Sequence, residues 1–278
     1  MKPLKVVSIQ RGCVYDGPGV RTTIFLKGCT LRCPWCCNPE AIPMEDEWFV
    51  DDSKCIFKQG KESDICAACE RKGGNKSIEK CPFGVANATS QTITMESLLD
   101  EIYADYELFQ SSGGGVTFSG GEPLQYAEEL LPLLRELKNK SISVYVETSL
   151  CVPQERIEQR KDYIDGAIID LKLQPEMMLG DEKYLSDIRE KIRLLGQQEI
   201  IYRLVFVNSM EQRSKEVIDA LNQLSVKHIE LLKCHDLAKP KYTKLNKTHV
   251  DYTANEEKYK LFAEELKRHS IDTSLLKI

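Results

Sequence analysis

Short apolar runs alternate with amphipathic stretches along most of the chain. Runs rich in β-branched and aromatic residues predict six strands, at residues 20–27, 115–119, 142–147, 166–171, 199–207 and 227–232. Apolar positions at helical spacing predict helices at about 94–110, 126–138, 153–160, 180–195, 211–224 and 255–268. Strands separated by helices imply right-handed crossovers and a parallel sheet, so we expect an α/β fold with a full or partial barrel.

Residues 43–92 break this pattern. They are rich in Lys, Asp, Glu, Gly and Cys and poor in periodic apolar positions. We interpret them as a small cysteine-rich insert, which leaves residues 1–42 and 93–278 to form the barrel. A chain of 278 residues, 42% of them hydrophobic, is long enough for one large domain with such an insert.

The charge and hydropathy of the chain exclude several kinds of partner. The net charge of −5 comes from acids and bases that are mixed along the chain, and no basic stripe favours nucleic acid. No apolar run is long enough to span a bilayer, and the N-terminus lacks the pattern of a signal peptide. We therefore expect a cytoplasmic monomer without a membrane partner.

The chain has eleven cysteines, an odd and high number. Secreted disulfide frameworks use even numbers, whereas clustered cysteines in a reducing compartment more often hold metal. One loop contains Cys29, Cys33, Cys36 and Cys37, and the insert contains Cys55, Cys66, Cys69 and Cys81. Three cysteines stand alone: Cys13, Cys151 and Cys234.

Polar segments lie at or near the ends of the predicted strands. In strand order they are the cysteine loop, residues 119–123, 147–149 and 170–172, Arg203, and residues 233–235. The active site of a parallel barrel lies at the carboxyl ends of its strands. We therefore expect these segments to converge in space.

The spacing Cys29-x3-Cys33-x2-Cys36 favours an iron–sulfur cluster. Three thiolates can hold three irons of a [4Fe–4S] cluster and leave the fourth iron open, as a catalytic metal requires. An open iron can chelate the amino and carboxylate groups of a methionine moiety. The alternatives are a zinc knuckle or a set of buried thiols.

This motif resembles the signature of the radical S-adenosylmethionine (SAM) superfamily. The segments Asp-Gly-Pro-Gly-Val-Arg-Thr at 16–22 and Cys-Cys-Asn-Pro-Glu at 36–40 more narrowly resemble the glycyl-radical-enzyme activating enzymes, the family that includes pyruvate formate-lyase activase. Further similar segments are Ser-Gly-Gly-Glu-Pro at 119–123, Glu-Thr at 147–148, Asp-Leu-Lys at 170–172 and Glu-Leu-Leu-x2-His at 230–235.

The resemblance implies a partial (β/α)6 barrel of the radical SAM type. It also implies an enzyme that cleaves SAM reductively and abstracts a Cα hydrogen from a glycine of a partner glycyl radical enzyme, with flavodoxin or ferredoxin as the reductant. Two other interpretations stay open: a radical SAM enzyme acting on a small molecule, such as a dehydrogenase or epimerase, and a non-catalytic iron–sulfur electron carrier.

The family's binding residues carry over onto this sequence position by position. The resemblance implies SAM contacts at Trp35, Asn38, Ser119, Gly120, Gly121, Glu122, Thr148, Lys172, Arg203 and His235. It implies a monovalent cation at Glu147, Thr148 and Asp170, and partner contacts at Asp16 and Arg203. The structural alternatives are packing for Trp35, a βα turn for 119–123, caps for Thr148 and Asp170, salt bridges for Lys172 and Arg203, and a structural role for His235.

The insert departs from its family pattern. Related inserts have eight cysteines for two clusters, whereas this one offers Cys55, Cys66, Cys69 and Cys81, followed by Pro82. We expect one auxiliary [4Fe–4S] cluster, with four-cysteine zinc or free thiols as alternatives. Cys37, Leu150 and the pair Lys233-Cys234 also differ from residues usual in the family.

Overall fold

A nine-stranded sheet forms the core of the fold. The computed structural model describes residues 3–61, 63–67, 69–72, 77–177 and 182–276. The strands are β1 (Leu4–Cys13), β2 (Arg21–Leu26), β3 (Trp48–Val50), β4 (Ala86–Ala88), β5 (Gln91–Ile93), β6 (Gly115–Gly120), β7 (Ser143–Thr148), β8 (Gly166–Asp170), β9 (Glu199–Phe206), β10 (His228–Lys233) and β11 (Asp272–Leu276). The sheet has the order β11-β10-β9-β8-β7-β6-β2-β1-β5, while β3 and β4 form a separate hairpin.

Helices link successive parallel strands and cover the sheet. They are α1 (Asp64–Ala67), α2 (Met95–Tyr103), α3 (Tyr106–Ser112), α4 (Ala127–Asn139), α5 (Gln154–Glu158), α6 (Glu182–Leu195), α7 (Ser214–Gln223), α8 (Lys239–Lys244) and α9 (Glu256–Arg268). In α4, Leu130, Leu133, Leu134 and Leu137 are fully buried. Their spacing places them on one face, which packs against the sheet.

The six predicted strands correspond to β2 and β6–β10, so the predicted α/β fold is confirmed. With β11 they make seven strands that pair in parallel. In the described chain the sheet runs from β5 at one edge to β11 at the other, so the barrel is partial. Within the same residues no helix is long and apolar enough to cross a membrane.

The predicted helix at 94–110 is divided into α2 and α3. The break lies at Asp105, whose carboxylate accepts a hydrogen bond from Thr22 Oγ1 (2.7 Å) and pairs with Arg11 Nη1 (2.6 Å). Ile102 and Phe109 on either side are both buried, so the apolar pattern continues through the break and hides it. The first residues of the predicted helix at 180–195 lie outside the described residues.

Several elements were not predicted. β1 pairs antiparallel with β2 and is irregular at two places, and its second half is largely exposed, which weakens its alternation. β5 pairs antiparallel with β1 and returns the chain from the insert to the main sheet. β11 and α8 are short. The division into a barrel and an insert at residues 43–92 stays a prediction.

The two faces of the sheet have different chemistry. Side chains alternate between faces along a strand, so Val116 and Phe118 of β6 face the helices, whereas Thr117 and Ser119 lie on the opposite face. That opposite face also bears the charged Glu147 of β7, which bonds to Ser119. Towards the carboxyl ends of the strands, this polar face forms the floor of the candidate site.

Candidate active site

The cysteine loop begins where β2 ends, and two backbone hydrogen bonds join its beginning to its end. The Gly28 and Cys29 N–H groups donate to Ala41 O (2.6 Å) and Ile42 O (2.8 Å). Gly28 has a φ of +99°, a conformation that favours glycine. The Cys36 N–H donates to Cys33 O (3.1 Å), which turns the chain between two predicted ligands.

The three predicted cluster ligands are largely removed from water. Burial raises the pKa of Cys29 to about 11 and also raises the pKa of Cys33 and of Cys36, with the nearby Lys172 ammonium acting in the opposite sense. Only the thiolate binds metal, so loading of this loop must release protons. Among the described residues, no three His, Cys, Asp or Glu side chains meet closely enough to hold a single ion. Three spaced thiols on one loop suit a group that takes one thiolate per iron.

Residues 119–123 pack directly against the cysteine loop. Gly120 has a φ of +101°, and a Cβ there would lie 2.5 Å from Leu26 N and O. A Cβ on Gly121 would lie 2.1 Å from Gly28 O. Both distances are too short for any side chain, so the two glycines are what allow the carboxyl end of β6 to contact the cysteine loop.

Glu122 connects this segment to the end of β7. Its carboxylate accepts hydrogen bonds from Thr148 Oγ1 (2.7 Å), Ser149 N (3.0 Å) and Ser149 Oγ (2.9 Å). Burial raises the pKa of Glu122, although these donors oppose that shift. The structure therefore brings Glu122 and Thr148 together, as an internal contact between neighbouring strand ends.

Arg203 lies at the centre of a buried charge network on the polar face. Its Nη1 donates to Glu147 Oε1 (2.7 Å) and its Nη2 to Glu230 Oε2 (2.8 Å). Nη2 also donates to Tyr15 O (2.5 Å), which joins the 14–20 loop to β9. Burial opposes the charge on Arg203, but the two carboxylates outweigh burial and raise its pKa. Arg203 thus forms salt bridges, which was the structural alternative to a SAM or partner contact.

Asp170 and Lys172 form a second ion pair beside the cysteines. One Asp170 oxygen, Oδ2, accepts from Lys172 Nζ, while Oδ1 is buried without a hydrogen-bond partner among the described residues. Burial opposes the charge on Lys172, but Asp170 and the thiol group of Cys33 outweigh it and raise the pKa of Lys172. A buried carboxylate oxygen without a partner costs free energy, because buried polar atoms are normally hydrogen-bonded.

The remaining predicted contacts are spread around the loop. Trp35 is buried and packs edge-on against Tyr252, with ring centroids 5.8 Å apart. Asn38 Oδ1 accepts from Lys241 Nζ (2.8 Å). His235 is partly exposed, and its Nδ1 accepts from Leu237 N (3.2 Å), which leaves Nε2 to carry the proton of the neutral ring.

Two threonines of the polar face donate hydrogen bonds to Asp16. Its side chain Oδ2 accepts from Thr23 Oγ1 (2.6 Å), and its carbonyl accepts from Thr117 Oγ1 (2.5 Å). The fully buried Arg21 stacks on Tyr145 (4.6 Å to the ring centroid) beneath it. The loop that contains Asp16 is therefore hydrogen-bonded to β2, β6 and β9 of the sheet.

The four cysteines of the insert line one cavity of about 90 Å³. Arg71 also lines it and donates to Cys55, and the Arg71 Nη1 to Asp52 Oδ1 distance is 2.6 Å. Burial opposes ionisation of Cys55, but backbone N–H groups of Lys58 and Phe57 and the Arg71 guanidinium outweigh it, so the pKa of Cys55 is lowered. The lowered pKa favours the thiolate of Cys55, which is the form that binds metal.

Comparisons with known proteins identify the family of the chain. A family model described as a 4Fe-4S single cluster domain matches residues 15–174. The pyruvate formate-lyase 2-activating enzyme of Escherichia coli (strain K12) is 32% identical over 251 residues, covering 88% of this chain and 82% of that protein. The (2S)-3-sulfopropanediol dehydratase activating enzyme of Klebsiella oxytoca is 31% identical over 274 residues, covering 86% and 84%. The chain belongs to the glycyl-radical-enzyme activating enzymes.

A solved structure is also similar to this activating enzyme. It is a domain of pyruvate-formate lyase-activating enzyme from Bacteroides vulgatus ATCC 8482, with a TM-score of 0.46 and 24% identity. The match covers 59% of this chain and all of that one. As a family member, the activating enzyme is a radical SAM enzyme that uses a [4Fe–4S] cluster and SAM.

Sequence reasoning missed the part of the activating enzyme that lies over its cysteine loop. Lys241 and Tyr242 of α8 both bond to the segment 36–40, and Glu230 pairs with Arg203. Glu230 could have been found, because it belongs to a segment that resembles the family. Lys241 and Tyr242 carry no local signal, because their partners lie about 200 residues earlier in the chain.

Proposed function

We propose that this activating enzyme holds its catalytic [4Fe–4S] cluster on Cys29, Cys33 and Cys36 and acts on a glycine of a partner glycyl radical enzyme. The observation that carries the proposal is the position of the three thiols, on one tied loop that contacts the polar strand ends. When bound, the cluster and SAM supply reductive cleavage of SAM and removal of a hydrogen atom from the glycine Cα.

The chain's own residues bind and orient SAM in this proposal. The backbone at Ser119–Gly121 contacts the cysteine loop at Gly28, and the neighbouring ion pair of Lys172 and Asp170 supplies charges for the methionine moiety. Asp170 Oδ1 has no internal partner among the described residues, so it is available to a bound group. No general base is required for removal of a hydrogen atom.

A monovalent cation beside SAM is part of the proposal, with Asp170 as its main ligand. Of the three residues implied by the resemblance, Glu147 is paired with Arg203 and Thr148 donates to Glu122. The free oxygen of Asp170 supports a cation there, since hard cations prefer oxygen ligands. Thr148 Oγ1 donates its proton to Glu122 and accepts from Leu150 N (2.9 Å), so one of its two lone pairs is left for a cation.

The partner is proposed to dock at the loop that contains Asp16, close to Arg203. The names of the relatives connect them with pyruvate formate-lyase 2 and (2S)-3-sulfopropanediol dehydratase, and we propose a partner of the same general class for this chain. Exposed Val14 and Tyr15 directly precede Asp16 and offer an apolar contact surface. We further propose a monomer that works in the cytoplasm and receives its electron from flavodoxin or ferredoxin.

The decisive experiment is anaerobic reconstitution followed by reduction with SAM in the presence of candidate glycyl radical enzymes. We expect 5′-deoxyadenosine to form and a glycyl doublet to appear in the electron paramagnetic resonance (EPR) spectrum of one candidate. Formation of 5′-deoxyadenosine with a free metabolite, and no glycyl doublet with any candidate, would favour the small-molecule interpretation. Absence of 5′-deoxyadenosine in every mixture would contradict the proposed reaction.

The insert is proposed to hold one auxiliary [4Fe–4S] cluster on Cys55, Cys66, Cys69 and Cys81. Supporting observations are their shared cavity and the three donors at Cys55. We expect Cys66→Ser to lower the iron content from about eight atoms per chain to about four. Cys13→Ser, which removes a cysteine outside both sets, should leave it unchanged. About four irons and one zinc in the unaltered protein would instead identify the insert as a zinc site.

A further inference from the structure

α8 lies against the segment that directly follows the third cluster ligand. Tyr242 is buried, and its hydroxyl donates to Cys36 O (3.1 Å). The Tyr242 hydroxyl therefore serves as a donor to the backbone of Cys36.

Lys241, the preceding residue, binds three acceptors of the same segment. Its Nζ donates to Asn38 Oδ1 (2.8 Å), Glu40 Oε1 (2.6 Å) and Cys37 O (3.2 Å). An ammonium group has three protons, so these contacts account for all of them. Because the Glu40 side chain is buried, this ion pair is shielded from solvent on one side and is stronger than an exposed pair.

Lys241 also determines which way the Asn38 amide faces. An ammonium group can only donate, so the Asn38 atom that faces it must be the oxygen. The Asn38 NH2 group is therefore free of this contact and points its two protons elsewhere. Asn38 thus offers donors, and its oxygen is already occupied.

The contacts continue on both sides of α8. Lys247 Nζ donates to Pro39 O (3.3 Å) and pairs with Glu47 (2.8 Å), and Tyr252 packs on Trp35. One stretch after β10 therefore holds the chain from Trp35 to Glu47. We call Lys241 and Tyr242 the clasp.

We propose that the clasp positions two functional groups of the cysteine loop, with Tyr242 fixing the third cluster ligand, Cys36, and Lys241 orienting Asn38 so that its NH2 group donates to bound SAM. This rests on the proposed function, from which it takes the cluster ligands, and on the SAM contact that the family resemblance implies for Asn38. Neither clasp residue touches a reacting atom, so both are positioning residues.

The test compares Lys241→Gln with Lys244→Gln, an exposed lysine of the same helix, in the reconstituted, reduced protein. SAM affinity is measured by titrating SAM into the reduced protein and following the EPR spectrum of the cluster. We expect Lys241→Gln to weaken SAM binding about tenfold, as loss of an orienting partner typically does, with the iron content retained. Lys244→Gln should bind SAM as the unaltered protein does.

A double-variant cycle shows whether Lys241 acts through Asn38. In an Asn38→Ala background, Lys241→Gln should cause no further loss of SAM affinity, because the group that it orients is gone. An equal, independent loss in both backgrounds would overturn the orienting role. A SAM affinity of Lys241→Gln equal to that of Lys244→Gln would overturn it as well.

Tyr242→Phe tests the other half of the clasp. It removes one hydroxyl and keeps the ring, so the fold is preserved while Cys36 O loses its donor. We expect iron to be lost to a chelator several-fold faster than from the unaltered protein, and an unchanged rate would overturn this role. If the unaltered protein holds no iron at the loop or does not bind SAM, the proposed function fails instead, which keeps the two failures distinguishable.

Discussion

Cys36→Ala is expected to abolish formation of 5′-deoxyadenosine from SAM. The change removes one of the three proposed ligands on the cysteine loop, and the two proposed ligands that remain cannot hold a cluster with a single open iron. Since even the loss of an outer partner of a metal ligand typically costs 10–100-fold in activity, we expect the rate to fall by more than about 100-fold. The measurement is quantification of 5′-deoxyadenosine by liquid chromatography after anaerobic reduction with dithionite.

Cys151→Ala is the matched control for this variant. Cys151 lies close to the same loop, since its carbonyl accepts from Thr30 Oγ1 (3.0 Å), yet its thiol is outside the predicted ligand set. The Cys151 carbonyl is still present in Cys151→Ala, so the hydrogen bond from Thr30 is kept. We therefore expect this variant to form 5′-deoxyadenosine at a near-normal rate. If Cys36→Ala retained activity while Cys151→Ala lost it, the assignment of the three ligands would be wrong.

Arg203→Met is expected to be the most destabilising of the single changes considered for the polar face. Arg203 is buried between Glu147 and Glu230, and Met fills similar space without charge. Breaking a buried ion pair from one side leaves charges without a partner and costs about 3–5 kcal/mol. We expect the free energy of unfolding of the reconstituted protein to fall by about this amount, as measured by urea titration.

Two further variants identify the cause of this loss. Arg213→Met removes an arginine from an exposed pair with Glu216, which should cost only about 0–1 kcal/mol. Adding Glu147→Gln and Glu230→Gln to Arg203→Met should recover part of the stability, because the unpaired carboxylates are removed. A triple variant less stable than Arg203→Met alone would show that the network stabilises the fold through something other than charge pairing.

The parallel strands could be predicted because their signal is local. β8, for example, is a short buried run of Gly, Ala and Ile, and such a run reads as a strand whichever neighbours it finds. β1 could not be predicted in the same way, since its second half is largely exposed and its register with β2 shifts twice. The division of the predicted helix at 94–110 also escaped prediction, because Asp105 is held by Thr22 and Arg11, residues more than eighty positions earlier in the chain.

The candidate cysteine ligands and the family could also be predicted from the sequence, because their signals are local too. The spacing of Cys29, Cys33 and Cys36 is a property of one loop, and the order of polar strand ends follows from the order of the strands. The family assignment therefore needed no coordinates, and the comparisons confirm it.

Only the tertiary structure decided which charged and polar groups meet. Sheet register brings Glu147 and Glu230 to Arg203 from strands on either side, and the fold brings Lys241 to Asn38 across about 200 residues. Pairings of this kind depend on distances between segments, and no local pattern of residues encodes them. The sequence alone thus determined the strands, the cysteine spacing and the family, whereas folding in three dimensions determined how the buried charges are paired, because that depends on how the strands are arranged in the sheet.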